Sequence, residues 1–205
     1  MNPALAAVLE RSKAVGFLGP GPIRAHVEHA DLFGRAVGDG RIADGVRVAD
    51  IGAGGGVPGL PMLVADPSLQ MVLIDASQKR CSFLVWAIGE LNLTDRAEVW
   101  CGRAEEIGHE ARARGRFDAV VARGFGPPAI TLECAAPLLV ADGRIVVSEP
   151  PTRRRWPAEG LAELGLVARE TSYQGVAVFE RTAALDDRYP RRAKELQRQP
   201  LFDVV

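Results

Sequence analysis

The strongest constraint on this chain is a rhythm. Five short apolar runs, at 47–51, 70–76, 97–101, 117–122 and 143–148, alternate with longer segments whose apolar residues recur at helical spacing. Runs this short and continuous suit strands buried on both faces. One helix-length segment between each pair implies parallel pairing, because a parallel pair needs a long crossover connection. Helices are expected at 58–65, 78–90, 103–114 and 128–139, and they would cover both faces of the sheet. In the second of these, Phe83, Leu84, Ile88 and the following Leu91 share one side. After Ser148 the rhythm changes. The segments 166–173 and 176–181 read as two strands joined by a tight turn at Gln174-Gly175, a hairpin.

The remaining segments frame this core. Residues 1–45 form a helical extension, interrupted by the Gly and Pro residues of 16–22 and resuming from Ile23 through Val37. Residues 183–205 are polar and basic, with Arg188, Arg191, Arg192, Lys194 and Arg198. With 46–182 as the core, 205 residues suit a single domain. A formal net charge of −1 gives no overall field toward nucleic acid or membrane, so any RNA contact must come from a local basic patch. No apolar run is long enough to cross a membrane. The three cysteines lack CxxC spacing, which indicates neither a metal site nor a disulfide framework and fits a reducing, cytoplasmic setting.

The first strand ends in Asp50-Ile51-Gly52-Ala53-Gly54-Gly55-Gly56. Glycines between a strand and a helix let the backbone approach a ligand and adopt positive φ. Asp50, Gly52, Gly54 and Gly56 give the D-x-G-x-G-x-G form of S-adenosylmethionine sites. Gly54, Gly56 and Gly59 also satisfy the dinucleotide pattern, but that register begins three residues beyond Ile51, too far from the strand for a tight turn. Asp75 ends the second strand, where a carboxylate can accept from two ribose hydroxyls or cap the next helix. The loop after the third strand places Ala104 and Glu105 where this kind of fold holds adenine; a helix-start glutamate is the plainer reading of Glu105. Arg123 ends the fourth strand, in the crevice beyond the carboxyl ends of the strands, where it can meet a ligand carboxylate, an RNA phosphate or a surface carboxylate. The expected architecture is therefore α/β and Rossmann-like: a seven-stranded, mostly parallel sheet closed by an antiparallel hairpin, the layout of class I methyltransferases.

Other features carry less. Gly126-Pro127-Pro128-Ala129 lacks both the acidic or amide residue and the aromatic of the D/N-P-P-Y motif. His26 and His29 share a helix face with Glu28 between them, a pattern that suits packing better than a metal site. Arg153-Arg154-Arg155 beside Trp156 reads as a solvated basic loop with a capacity for RNA contact.

The stretch from Val48 to Leu84, with Gly56-Val57-Pro58-Gly59-Leu60-Pro61 and Lys79-Arg80, resembles the RsmG (GidB) family of small-subunit ribosomal RNA guanine-N7 methyltransferases. Arg103-Ala104-Glu105-Glu106, Ala122-Arg123-Gly124-Phe125 and Tyr189-Pro190-Arg191-Arg192 extend the likeness. The resemblance implies S-adenosyl-L-methionine as cofactor, with Gly52 and Val57 in contact with it, Ala104 and Glu105 beside the adenine, and Arg123 at the site. It implies 16S ribosomal RNA or the small ribosomal subunit as partner, with Arg123, Arg191 and Arg192 as candidates for positioning RNA. Two segments depart from the family. Only His26 remains of its R-H-x-x-D-S element, and Ser148-Glu149 stands where it has a lysine-glycine pair. These departures leave open a paralogue acting on another, small-molecule acceptor and a non-catalytic cofactor-binding protein. A nicotinamide oxidoreductase would bind NAD instead and leaves the terminal hairpin unexplained.

Overall fold

A computed structural model describes residues 1–38, 45–150 and 156–202. The basic triplet 153–155 lies outside the described residues. Two helices come first, α1 (Pro3–Ala14) and α2 (Ile23–Gly38). Asn2 caps α1 by accepting from the amides of Ala4 and Leu5, and Leu5, Val8, Leu9 and Ser12 form its buried stripe. The alternation then follows as β1 (Arg47–Ile51), α3 (Gly59–Ala65), β2 (Gln70–Asp75), α4 (Gln78–Glu90) and β3 (Ala97–Cys101). It continues with α5 (Ala104–Ile107), β4 (Phe117–Ala122), α6 (Pro128–Ala135), a short 3-10 turn (Ala136–Leu138) and β5 (Leu139–Ser148). The chain closes with α7 (Ala158–Glu163), β6 (Leu166–Arg169), β7 (Val176–Arg181) and α8 (Ala193–Arg198).

The seven strands form one sheet in the order β3-β2-β1-β4-β5-β7-β6. β1 to β5 pair in parallel, and β7 runs antiparallel between β5 and β6. Successive residues of β1 and β2 feed opposite sides of the sheet: Val48, Met71 and Leu73 join one apolar cluster with α1–α4, while Ile51, Val72 and Ile74 join the other. That second cluster holds Phe117, Leu132, Phe179, Tyr189 and Leu196, so the C-terminal segment is part of the core. Because the chain winds outward from β1 to β3 and then returns to β4, the strand order reverses between β1 and β4. Such a switch point opens a crevice beyond the carboxyl ends of the strands.

Three expectations need correction. The helix expected over 103–114 ends at Ile107; Gly108, a poor helix former, follows it, and the chain continues in turns to Gly115. The helix expected to run to residue 139 stops at Ala135, gives way to a 3-10 turn containing Pro137, and Leu139 already pairs with Phe117 in β5. The turn between the last two strands is not tight. Pairing ends at Arg169 opposite Val178, and Gly175 O instead accepts from the amide of Glu149.

Candidate active site

The glycine turn leaves β1 with Gly52, Gly54 and Gly56 all in the left-handed region, at φ of 69°, 53° and 90°. A side chain at Gly52 would stand 2.7 Å from Phe125 Cδ2, so only glycine allows the β1 and β4 loops to approach this closely. Neighbouring elements fix the turn. Ala53 donates to Ile74 O at 3.0 Å, and Ser12 Oγ, from α1, donates to Gly55 O at 2.9 Å. Gly59, the third glycine of the dinucleotide register, has a structural role: its amide donates to Asp50 Oδ2 at 3.0 Å, and a Cβ there would lie 2.7 Å from that oxygen.

Beside the turn lies a cavity of about 280 Å³. Gly52 and Asp75 line it, as do Ala104 and Glu105, so four of the sequence-derived positions meet at one place. Asp75 is 4% exposed; Oδ1 accepts from the Ser77 amide at 2.8 Å and Oδ2 from the Gly54 amide at 2.9 Å. Each oxygen keeps a second lone pair for a hydroxyl donor. Glu105 is paired with Arg103 at 2.6 Å.

Other expected residues stand behind the lining. Gly54 reaches it through Asp75. Gly56 packs on Leu60, and Val57 is buried in the apolar cluster rather than on the cavity. Asp50 and Arg123 form a buried polar layer. Among the described residues, Asp50 Oδ1 and Arg123 Nη1 are the buried side-chain polar atoms without a hydrogen-bond partner. Burial pushes the Asp50 carboxyl up to about 8, against the Gly59 bond, with nearby Asp75 adding to the rise and Arg123 opposing it. Burial likewise lowers the Arg123 pKa from the ordinary guanidinium value.

Arg123 Nη2 lies 2.6 Å from His26 Nδ1. A guanidinium only donates, so Nδ1 accepts, the ring proton sits on Nε2, and Nε2 donates to Gly19 O at 3.2 Å. Burial and the Arg123 charge both lower the His26 pKa, keeping the ring neutral. The spacing of His26 and His29 suits packing or surface roles better than a metal site. His29 does pack, bonded to Gly175 O, but His26 orients Arg123. The contact spans 97 residues of sequence, and the retained histidine of the family pattern was its one local sign.

Arg191, expected to meet RNA, is engaged inside the protein. Its Nε and Nη2 both bond Glu133 at 2.8 Å, and Glu133 is 1% exposed. Arg192 stays exposed. No group of three or more His, Cys, Asp or Glu among the described residues could hold a metal ion, and no helix among them is long and apolar enough to cross a membrane.

The cavity therefore offers a buried carboxylate with free lone pairs at Asp75 and apolar side chains at Ile74, Phe125 and Ile130, with the Asp50–Arg123 layer behind it. The family model for rRNA small subunit methyltransferase G matches residues 37–150. The ribosomal RNA small subunit methyltransferase G of Lactobacillus helveticus is 34% identical over 170 residues, covering 77% of this chain and 70% of that protein. A methyltransferase from Geobacter sulfurreducens shares the fold with a TM-score of 0.61 at 16% identity, covering 88% of this chain and 90% of that one. A SAM-dependent methyltransferase from Thiobacillus denitrificans, in complex with S-adenosyl-L-homocysteine, shares it with a TM-score of 0.52 at 20% identity, covering 76% and 60%.

Proposed function

The chain belongs to the rRNA small subunit methyltransferase G family, and we propose that it transfers a methyl group from S-adenosyl-L-methionine to N7 of a guanine in 16S ribosomal RNA. The observation that carries this reading is the cavity at the β1–β4 switch point, where Gly52, Asp75, Ala104 and Glu105 converge in a chain of this family. When bound, S-adenosylmethionine supplies an electrophilic methyl group on a sulfonium sulfur.

The chain's own residues hold and orient. Asp75 accepts from the ribose hydroxyls with the lone pairs that Gly54 and Ser77 leave free. Arg123, with Nη1 unpartnered and its guanidinium plane fixed by His26, is the cation available to the carboxylate of the methionine end, and Asp50 lies beneath the turn, bonded to the Gly59 amide. Guanine N7 carries a lone pair and no proton, so the acceptor needs alignment rather than a base. His26 fits that requirement, because its one accepting nitrogen is occupied by Arg123.

The partner is ribosomal RNA or the small ribosomal subunit, and the compartment is the cytoplasm. Arg192 remains open to phosphate, whereas Arg191 is held by Glu133, so salt should weaken RNA binding mainly through exposed side chains. The segments 1–45, 46–182 and 183–205 work as one domain. The Ser12–Gly55 and Arg191–Glu133 contacts, which tie both ends of the chain to the core, support this.

Nucleoside mass spectrometry of small-subunit rRNA tests the proposal. A strain lacking this gene should lose N7-methylguanosine at one position and regain it on complementation. An unchanged level in the deletion strain overturns the assignment.

A further inference from the structure

A basic C-terminal segment on an RNA-modifying enzyme suggests an RNA arm, yet here its inner surface faces elsewhere. Tyr189 is 1% exposed, its hydroxyl bonds Glu163, and its carbonyl accepts from Arg114 at 2.6 Å. Pro190 O lies 2.8 Å from His109 Nε2, and the ring of Pro190 rests on Gly108. The amide of Arg191 adds a third bond to Glu133, at 2.9 Å. At the far end the ring of Phe202 packs on Gly160 of α7, leaving no room there for a side chain. Both ends of the segment are therefore pinned, and α8 crosses between them.

Its attachments are to the elements that shape one end of the cavity. Ala104 and Glu105 come from α5, just before Gly108 and His109; Ile130 comes from α6, one turn before Glu133. Between them α8 presents Ala193, Leu196 and Gln197 to the cavity. Ile130 and Leu196 offer apolar surface to the faces of a flat ring. The Gln197 carboxamide can both donate and accept, as a purine edge requires. A buried glutamate on α6 is stable only with a partner, and Arg191 is that partner.

We propose that residues 189–202 form a wall of the methyl-donor site, closing over its adenine end, with Leu196 and Gln197 in contact with the purine and Arg191 as the residue that positions α8. This rests on the reading of the cavity as an S-adenosylmethionine site. The segment then controls donor affinity, and RNA is left to its outer surface.

The test uses the full chain, S-adenosylhomocysteine and purified small ribosomal subunits. Leu196→Ala, Gln197→Ala and Arg191→Ala should each weaken S-adenosylhomocysteine binding, by tenfold or more for Leu196→Ala. Affinity for the subunits should stay within twofold, and the KM for the donor should rise with the KM for the subunits unchanged. Adding S-adenosylhomocysteine to the wild type should slow amide exchange across 189–198. Folded Leu196→Ala and Gln197→Ala proteins that bind the ligand as the wild type does, or that lose subunit affinity instead, overturn the wall. The two contact variants keep the test decisive if Arg191→Ala does not fold. A wild type that binds no S-adenosylhomocysteine overturns the cofactor reading together with the wall.

Discussion

Asp50→Asn isolates the charge state of the buried layer beneath the donor site. Asp50 is fully buried, its Oδ2 bonded only to the Gly59 amide and its Oδ1 unpartnered. Its pKa rises from 3.8 to about 8, chiefly through desolvation. The folded protein therefore keeps a proton that the unfolded chain releases above about pH 4. With fewer protons bound in the unfolded state, stability falls as pH rises. This contribution is fully present below the unfolded pKa and is lost as pH climbs through the folded one, near 8. Integrated between pH 5 and pH 8, a shift of this direction and order corresponds to a few kcal/mol, on the order of 3–4. Asparagine keeps an acceptor for Gly59 and cannot titrate. Urea melts of both proteins across that range should show the variant gaining on the wild type by roughly this amount, most of it by about pH 7.5. Parallel stability curves would refute the protonated, buried Asp50.

Three further outcomes follow from the same geometry. Asp75→Asn should weaken S-adenosylhomocysteine binding by about 1.5–3 kcal/mol, the usual worth of a hydrogen bond to a charged group; equal affinity by calorimetry in a folded variant removes Asp75 from the site. Arg191→Met leaves the Glu133 carboxylate buried and alone, and should destabilise the fold by about 3–5 kcal/mol in urea melts, most of it restored in Glu133→Leu/Arg191→Met; a loss under about 1 kcal/mol contradicts the ion pair's place in the fold. The depressed pKa of His26 means that its support of Arg123 is intact above the ordinary histidine value of 6.5 and is lost as pH falls through the lower folded value, when Nδ1 takes a proton and can no longer accept. Donor affinity should fall on that acid side in the wild type and less steeply in His26→Asn, whereas identical pH profiles would show that His26 does not hold Arg123.

The sequence announced the sheet through local pattern. β1, α4, β3, β4 and β7 fall where apolar runs and helical spacing placed them, because burial on both sides of a sheet leaves a continuous signature in each strand. The helix ends were missed for local reasons, Gly108 and Pro137, and the polar pairs for a different one, their long separation in sequence. The polar stretch after Arg103 has the composition of a helix, but it carries Gly108 and Gly115 and folds as turns after Ile107. Arg191 looked free because its partner Glu133 lies 58 residues away, and nothing in the periodicity of either segment links them. His26 and Arg123 are likewise joined only by the fold. The glycine turn was legible, and so were four of the positions that line the cavity, Gly52, Asp75, Ala104 and Glu105. The polar pairs that orient and close it were not, since their chemistry depends on contacts between distant segments.

The most direct test of the methyl-transfer assignment is incorporation of a labelled methyl group. Purified protein, methyl-labelled S-adenosylmethionine and small ribosomal subunits from a strain lacking this gene should yield label in 16S rRNA, released on digestion as N7-methylguanine at one site. Label absent from the rRNA, in a protein shown to bind the donor, would contradict the assignment.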